Sequence, residues 1–277
     1  MTRAMAYPPA PLAMDKAVQN QLWQLNRRFY AAHAADFAAT RQGPQPGWHR
    51  IIAYFPPVCQ VLDLGCGNGR LAVFLDERLE RVHYVGVDAE ARLLDQARQR
   101  TAGLRRTQAT FRQLDLSIPG WEATLGSGPF DVVLALALLH HLPGRDARAA
   151  FMAAAARCLQ PTGVFILSTW RFSHVPRLRR KIVPWETIGL TRGDVEPGDY
   201  LLTWQQTGLR YVHECDEAEI AELAAAAGLR VREHFRSDGR EGDLALYCVL
   251  EHGKIDFTAK TPEKRQDTKI YKKLHFS

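Results

Sequence analysis

From residue 16 to residue 39 the apolar side chains Leu22, Leu25, Phe29, Tyr30, Ala34 and Phe37 recur at overlapping three- and four-residue spacings, which predicts an amphipathic helix. The run Gly43-Pro44-Gln45-Pro46-Gly47 cannot extend it and predicts a stiff turn before Trp48. Beyond residue 61 short apolar runs alternate with longer helical stretches. Strands are predicted near 61–64, 82–87, 110–114, 130–138 and 163–169, with helices near 71–79, 92–100 and 147–159. Such alternation implies an α/β chain built on a doubly wound, mostly parallel sheet with helices on both faces. From 171 to 209 the pattern fails, and a loop of that length inside a domain usually serves function. A helix near 216–227 and strands near 229–236 and 244–251 then complete seven strands with an antiparallel hairpin. Ligands of such sheets bind beyond the carboxyl ends of the strands.

The strand exits carry the candidate chemistry. Val61-Leu62-Asp63-Leu64-Gly65-Cys66-Gly67-Asn68-Gly69 joins a strand to a glycine turn that opens a helix. Glycine there lets the backbone bend sharply while lying against a ligand. A dinucleotide fingerprint counted from Gly65 requires glycine at position 70, where Arg70 stands, and the Gly-Lys-Ser/Thr of a phosphate loop is absent. Asp88 closes the second strand, where an acid can accept hydrogen bonds from ribose hydroxyls. Asp115 closes the third, and Phe130 to Leu142 forms the fourth strand and its exit, with His140 and His141. This series resembles the motifs of the class I S-adenosylmethionine-dependent methyltransferases. The resemblance implies a Rossmann-like methyltransferase fold with an N-terminal helical extension, and S-adenosylmethionine as cofactor. It implies that Asp63, Gly65, Cys66, Gly67, Asn68 and Gly69 cradle the cofactor, that Asp88 with Ala89 meets its ribose, and that Asp115 with Leu116 meets its adenine. Leu136 completes that set.

Composition sets bounds around this reading. The chain has 277 residues, enough for one substantial core, which we divide as a mobile leader (1–14), a methyltransferase domain (15–250) and a basic tail (251–277). Within the domain, 15–57 forms a helical cap and 171–209 a substrate-loop insertion. No basic start precedes a signal-length apolar run, and the longest apolar stretch, 132–139, is too short to span a bilayer. We therefore expect a cytoplasmic protein with no membrane partner. The five cysteines are scattered without Cys-x-x-Cys spacing, so reduced thiols are expected and no metal. A formal net charge of +6 leans towards a polyanionic partner. One basic cluster holds Arg171, His174, Arg177, Arg179, Arg180 and Lys181; another occupies the tail, from Lys254 to Lys273.

A narrower resemblance rests on four segments. They are Phe29-Tyr30 with Phe37 and Thr40-Arg41 ahead of Pro44-Gln45-Pro46-Gly47-Trp48; Leu139-His140-His141-Leu142 with Arg145 and Arg148; Gly198-Asp199-Tyr200-Leu201-Leu202; and Arg210-Tyr211-Val212-His213. From about residue 25 to 250 the chain resembles the tRNA wobble-uridine methyltransferases that esterify 5-carboxymethyluridine. It departs from them at Gln45, where they carry Trp, and at Val212, where they carry Tyr. The resemblance implies tRNA as partner, and a small activator protein that some relatives require. It implies His140, Arg210 and His213 as catalytic residues and Tyr30, Arg41, His141, Trp170 and Tyr211 as substrate-binding ones. Arg210 and Arg41 would orient phosphate, ribose or the cofactor carboxylate, and Tyr211 or Trp170 would stack on a base.

The chemistry is consistent with this. Methyl transfer from a sulfonium is an in-line displacement governed by positioning, and a carboxylate, with a pKa near ~4, needs no base at neutral pH. No Asp/Glu–His pair of catalytic spacing stands out in the sequence. Two other readings remain open at this point: methylation of a small-molecule acid, phenol or amine, and a non-catalytic subunit that retains the fold.

Overall fold

The computed structural model describes residues 13–39, 43–126, 128–204 and 208–253, with the side chains of 35–39 excepted. Phe37 as a side chain, Thr40, Arg41, residues 1–12 and the tail from 254 lie outside the described residues. In chain order the elements are α1 (Lys16–Ala39), α2 (Trp48–Ile51), β1 (Val58–Leu64), α3 (Arg70–Asp76), β2 (Arg81–Asp88), α4 (Ala91–Thr101), β3 (Thr107–Gln113), β4 (Phe130–Leu136), α5 (Arg145–Arg157) and β5 (Leu159–Trp170). There follow α6 (Pro176–Arg179), β6 (Ile182–Val183), β7 (Asp199–Trp204), β8 (Gly208–His213), α7 (Glu217–Ala226), β9 (Leu229–Ser237) and β10 (Ala245–His252).

The main sheet has seven strands in the order β3-β2-β1-β4-β5-β10-β9. Strands β1 to β5 pair in parallel and β10 is antiparallel to both its neighbours. Alternation of side chains sends successive residues of the central strands to opposite faces. Leu62, Leu64, Val133 and Ala135 join Phe151, Met152 and Ile220 in one core. Val61, Val132 and Leu134 join Leu71, Phe74 and Leu94 in the other. Each large side chain so buried contributes about 1.5–3 kcal/mol, which explains why β1 and β4 read as near-continuous apolar runs. Because β1 pairs with both β2 and β4, the winding direction reverses there, and a crevice opens beyond its carboxyl end. Among the described residues no helix is long and apolar enough to cross a membrane.

Several boundaries differ from those predicted. Strand β3 begins at Thr107, and β4 stops at Leu136 because Ala137 turns to a φ of 55°. Strand β5 begins at Leu159, so Pro161 lies inside a strand that was expected to start only after it. The register explains this: Phe130 faces Leu159 but Val132 faces Val164, an irregularity that accommodates a residue without an amide hydrogen.

The larger correction concerns 171–209, read as an irregular loop. It contains α6, β6 and β7, and with β8 it forms a second antiparallel sheet, ordered β6-β7-β8. These strands are too short for periodicity to register, and they are held by packing against α1. Leu22 of α1 shares a cluster with Trp185, Leu201 and Tyr211. Met14, assigned from sequence to the mobile leader, is 5% exposed in that same cluster. Asn26, buried in α1, donates to the backbone oxygens of His141 (3.2 Å) and Tyr211 (3.1 Å) and accepts from the Tyr211 amide (2.8 Å). One side chain thereby ties the small sheet to the exit of β4.

Candidate active site

The glycine turn after β1 lies over the β1–β2 tips: the amides of Gly65 and Cys66 both donate to the Val87 carbonyl, at 2.8 and 2.9 Å. Gly67 has φ 56°, and a Cβ built there would meet no atom within 4 Å, because that face of the backbone opens on a cavity. Gly69 also has positive φ, for a different reason: its Cβ would lie 3.0 Å from Ala97 of α4. The third glycine serves helix packing, and it does not line the cavity.

That cavity, of about 920 Å³, occupies the crevice predicted by the topology. Of the residues expected to hold the cofactor, Asp63, Gly65, Cys66, Gly67, Asn68, Asp88, Ala89, Asp115, Leu116 and Leu136 line it. The amides of Gly67 and Glu90 donate to opposite oxygens of Asp88, each at 2.9 Å, fixing a carboxylate at the cavity edge with lone pairs to spare. Burial raises its pKa, against which these amides work. Asp115 accepts from the Ser117 amide (3.0 Å) and hydroxyl (2.5 Å), and Arg27 of α1 reaches across to it at 3.3 Å. Asp63 is 3% exposed; burial pushes its pKa up to about 7, opposed by the hydroxyl that Tyr84 donates. Asn68 is 6% exposed, and its Nδ2 has no hydrogen-bond partner among the described residues. Burial drives the Cys66 thiol well above its usual range, which leaves it a small neutral neighbour of the ligand. An open backbone face, an unmatched buried donor and acids at successive strand tips suit an adenosine that carries an amino-acid chain. S-adenosylmethionine therefore fits the residues present.

Past the exit of β4 the cavity wall changes character. Tyr30, His141 and Trp170 line it, as the sequence implied. The Tyr30 hydroxyl lies 2.6 Å from His141 Nε2, and His141 Nδ1 lies 3.3 Å from the Tyr211 carbonyl. Since that carbonyl can only accept, Nδ1 carries the proton and Nε2 accepts from Tyr30. Arg210, 6% exposed, stands behind this pair with a hydrogen bond to Tyr30, and its guanidinium covers Trp170 at 4.6 Å. Burial lowers its pKa. His140 is fully buried and stacks on Trp170, with ring centroids 4.8 Å apart.

The remaining assignments need correction. His140 and Arg210 do not line the cavity; they back its wall and pack against the Trp170 ring. Tyr211 is fully buried and donates its hydroxyl to Asp199 at 2.7 Å, so it cannot stack on a substrate. His213 does not line the cavity. It is 2% exposed, with Nδ1 2.6 Å from Asp199 and Nε2 2.8 Å from Glu219. Arg148, at 1% exposure, pairs with Glu219 and Glu196, each at 2.8 Å, and supplies the positive charge this acidic cluster requires. Burial opposes charge on His213, but the two carboxylates overcome it and raise its pKa above the ordinary value. Burial likewise opposes charge on Glu219, yet His213 and Arg148 bring it down to about 2. The Arg-Tyr-x-His segment is thus a structural fastening, in which Arg210 alone packs behind the Tyr30 and Trp170 wall.

Sequence reasoning passed over Arg70 and Trp48, which also line the cavity. Arg70 immediately follows the glycine turn, a position that could have marked it. Trp48 is placed by a tertiary strap: Asp238 accepts from the Gly47 amide at 2.8 Å and from the Tyr247 hydroxyl at 2.6 Å. The basic cluster is also partly neutralised. Arg171 pairs with Glu217 (3.4 Å) and Arg177 with Glu241 (3.3 Å), which leaves Arg179, Arg180 and Lys181 exposed.

Residues 62–165 match a family described as "Methyltransferase domain". A protein of Encephalitozoon cuniculi named only as a methyltransferase is 32% identical over 227 residues, covering 81% of this chain and 93% of its own. A tRNA (carboxymethyluridine(34)-5-O)-methyltransferase of Macaca fascicularis is 28% identical over 163 residues; the match covers 59% of this chain but 22% of that larger protein. Among solved structures, a methyltransferase of Methanosarcina mazei described as SAM-dependent superposes with a TM-score of 0.59 at 18% identity, covering 76% of this chain and 97% of its own. That likeness reflects the fold.

Proposed function

Because the chain belongs to the class I S-adenosylmethionine-dependent methyltransferases, we propose that its acceptor is a carboxylate, the carboxymethyl group of a wobble uridine in tRNA. The observation that carries this reading is the pairing of Tyr30 with His141 on the cavity wall. When bound, S-adenosylmethionine supplies an electrophilic methyl group on a sulfonium. Phenols and amines commonly require a base to accept it. Here Nε2 of His141 is engaged by the hydrogen bond that it accepts from the Tyr30 hydroxyl, whereas a carboxylate arrives ionised and needs no base.

The rest of the wall fits that chemistry. Leu138, Leu142 and Trp170 give the cavity apolar surface, which would favour a reaction in which a cation and an anion become two neutral products. Arg210 sits one layer back, held by Tyr30, so it orients the wall without gripping the acceptor, a grip that would stabilise the ground state most. The exposed Arg179, Arg180 and Lys181 offer a path for a polyanion, and neighbouring Arg177 fastens this segment to Glu241, in the loop whose Asp238 and Gly239 line the cavity. The name borne by the macaque relative adds weight to a carboxymethyluridine acceptor.

The test is to incubate the purified protein with methyl-labelled cofactor and, separately, with bulk tRNA and with a pool of small carboxylic acids. The expected result is label in tRNA that mild alkali releases, as an ester requires. Label resistant to alkali, or label confined to the small acids, would overturn the assignment.

A further inference from the structure

We infer that Arg70, with Asn68, binds the carboxylate of the cofactor's amino-acid chain and so sets the protein's preference for charged adenosyl thioethers. This rests on the cofactor reading above and extends it to a residue outside the predicted set. Arg70 stands next to the glycine turn and lines the cavity. Its guanidinium is held from two sides: Nη1 donates to the Gly43 carbonyl at 2.7 Å, and Cζ lies 5.2 Å from the Trp48 ring centre. Among the described residues no carboxylate lies within ion-pairing distance of it. The nearby acids are engaged elsewhere, Asp63 by Tyr84 and Asp238 by Gly47 and Tyr247.

A cation on the wall of a half-enclosed cavity with no carboxylate in direct contact is stabilised when a ligand supplies one. Burial lowers the Arg70 pKa to about 10, which leaves the group charged at neutral pH. Asn68 adds an independent observation on the same wall, an almost fully buried Nδ2 donor with no partner among the described residues. A planar two-donor group beside a second donor matches a carboxylate, which can accept from both at once. Asp63 lines the same cavity. The pair would separate the ends of the ligand: acids for the nucleoside, Arg70 and Asn68 for the amino acid.

Calorimetric binding distinguishes the possibilities without any turnover. S-adenosylhomocysteine and 5′-methylthioadenosine share the nucleoside and the thioether, but only the first bears the carboxylate. For Arg70→Leu, affinity for S-adenosylhomocysteine is expected to fall about 10- to 100-fold while that for methylthioadenosine stays within about twofold. Should the variant fail to fold, the wild-type protein offers the same test, since it is expected to bind the carboxamide of S-adenosylhomocysteine about 10- to 100-fold more weakly than the acid. Equal losses for both ligands in the variant, or no discrimination between acid and amide, would refute the role of Arg70. Failure of wild-type protein to bind any of these ligands would instead remove the cofactor reading itself.

Discussion

Two glycines of the turn after β1 share a positive φ and do different work. At Gly67 the missing Cβ leaves ligand space; at Gly69 it leaves room for Ala97. The consequence is measurable. Replacing Gly69 by Ala adds a Cβ at 3.0 Å from a packed helix in a left-handed conformation, so thermal unfolding is expected to show a loss of about 1–3 kcal/mol. Gly67→Ala meets open space and should lose about 1 kcal/mol from its backbone alone, while cofactor titration shows the larger effect. If both variants lost stability equally and bound cofactor normally, Gly67 would not face the ligand. At this scale the strand-tip residues that line the cavity were readable in the chain because each is set locally. A bend, a small side chain and a strand-tip acid are each dictated by a few neighbouring residues. Arg70 escaped because its significance depends on Trp48 and Gly43, brought to it by the strap through Asp238.

The elements joining the two sheets are held by a buried charge network whose pH dependence can be worked out. His213 has a folded-state pKa above its unfolded value, so its contribution to stability is complete below about 6.5 and is lost as pH rises through the folded value. Glu219 is the opposite case: its contribution is complete above about 4.5 and is lost as pH falls towards 2. Both are present together between about pH 4.5 and 6.5. Urea unfolding of His213→Gln beside wild type should therefore show its greatest deficit inside that window, and a smaller one at pH 8 to 9. A deficit that grew with pH would mean that the ring is held neutral. No strand pattern exposes this network, since Arg148, Glu196, Asp199, His213 and Glu219 come from separate elements. The short strands β6 and β7 share that fate. Their stability comes from α1, far off in sequence, and not from periodicity of their own.

Across the whole molecule, the proposed tRNA acceptor would bring the exposed basic surface and the cavity into one site. Neutralising phosphates with Arg and Lys makes binding fall steeply with salt. With tRNA as acceptor, kcat/KM should drop by roughly tenfold or more between low and moderate ionic strength, while cofactor affinity changes little. The double variant Arg179→Glu with Arg180→Glu should raise KM for tRNA by roughly tenfold at fixed salt, again with cofactor titration unaltered. Salt-independent turnover would place the acceptor among small molecules and make the exposed arginines an ordinary solvated face.

By itself the sequence determined the α/β winding, the seven main strands and the strand-tip residues that line the cavity. Those follow from contiguous information: apolar runs long enough to bury on two faces, and glycines and acids set at strand ends. Tertiary structure alone decided that the Arg-Tyr-x-His segment backs the cavity wall without lining it. Alternation on β8 sends Tyr211 and His213 into a buried polar cluster, while α1 and Trp170 close around Arg210. It also paired Tyr30 with His141, two residues far apart in the chain that meet where Asn26, one turn before Tyr30 on α1, donates to the His141 carbonyl. A side chain's chemistry is written at its own position, but whether it faces ligand or core is settled by what packs against it.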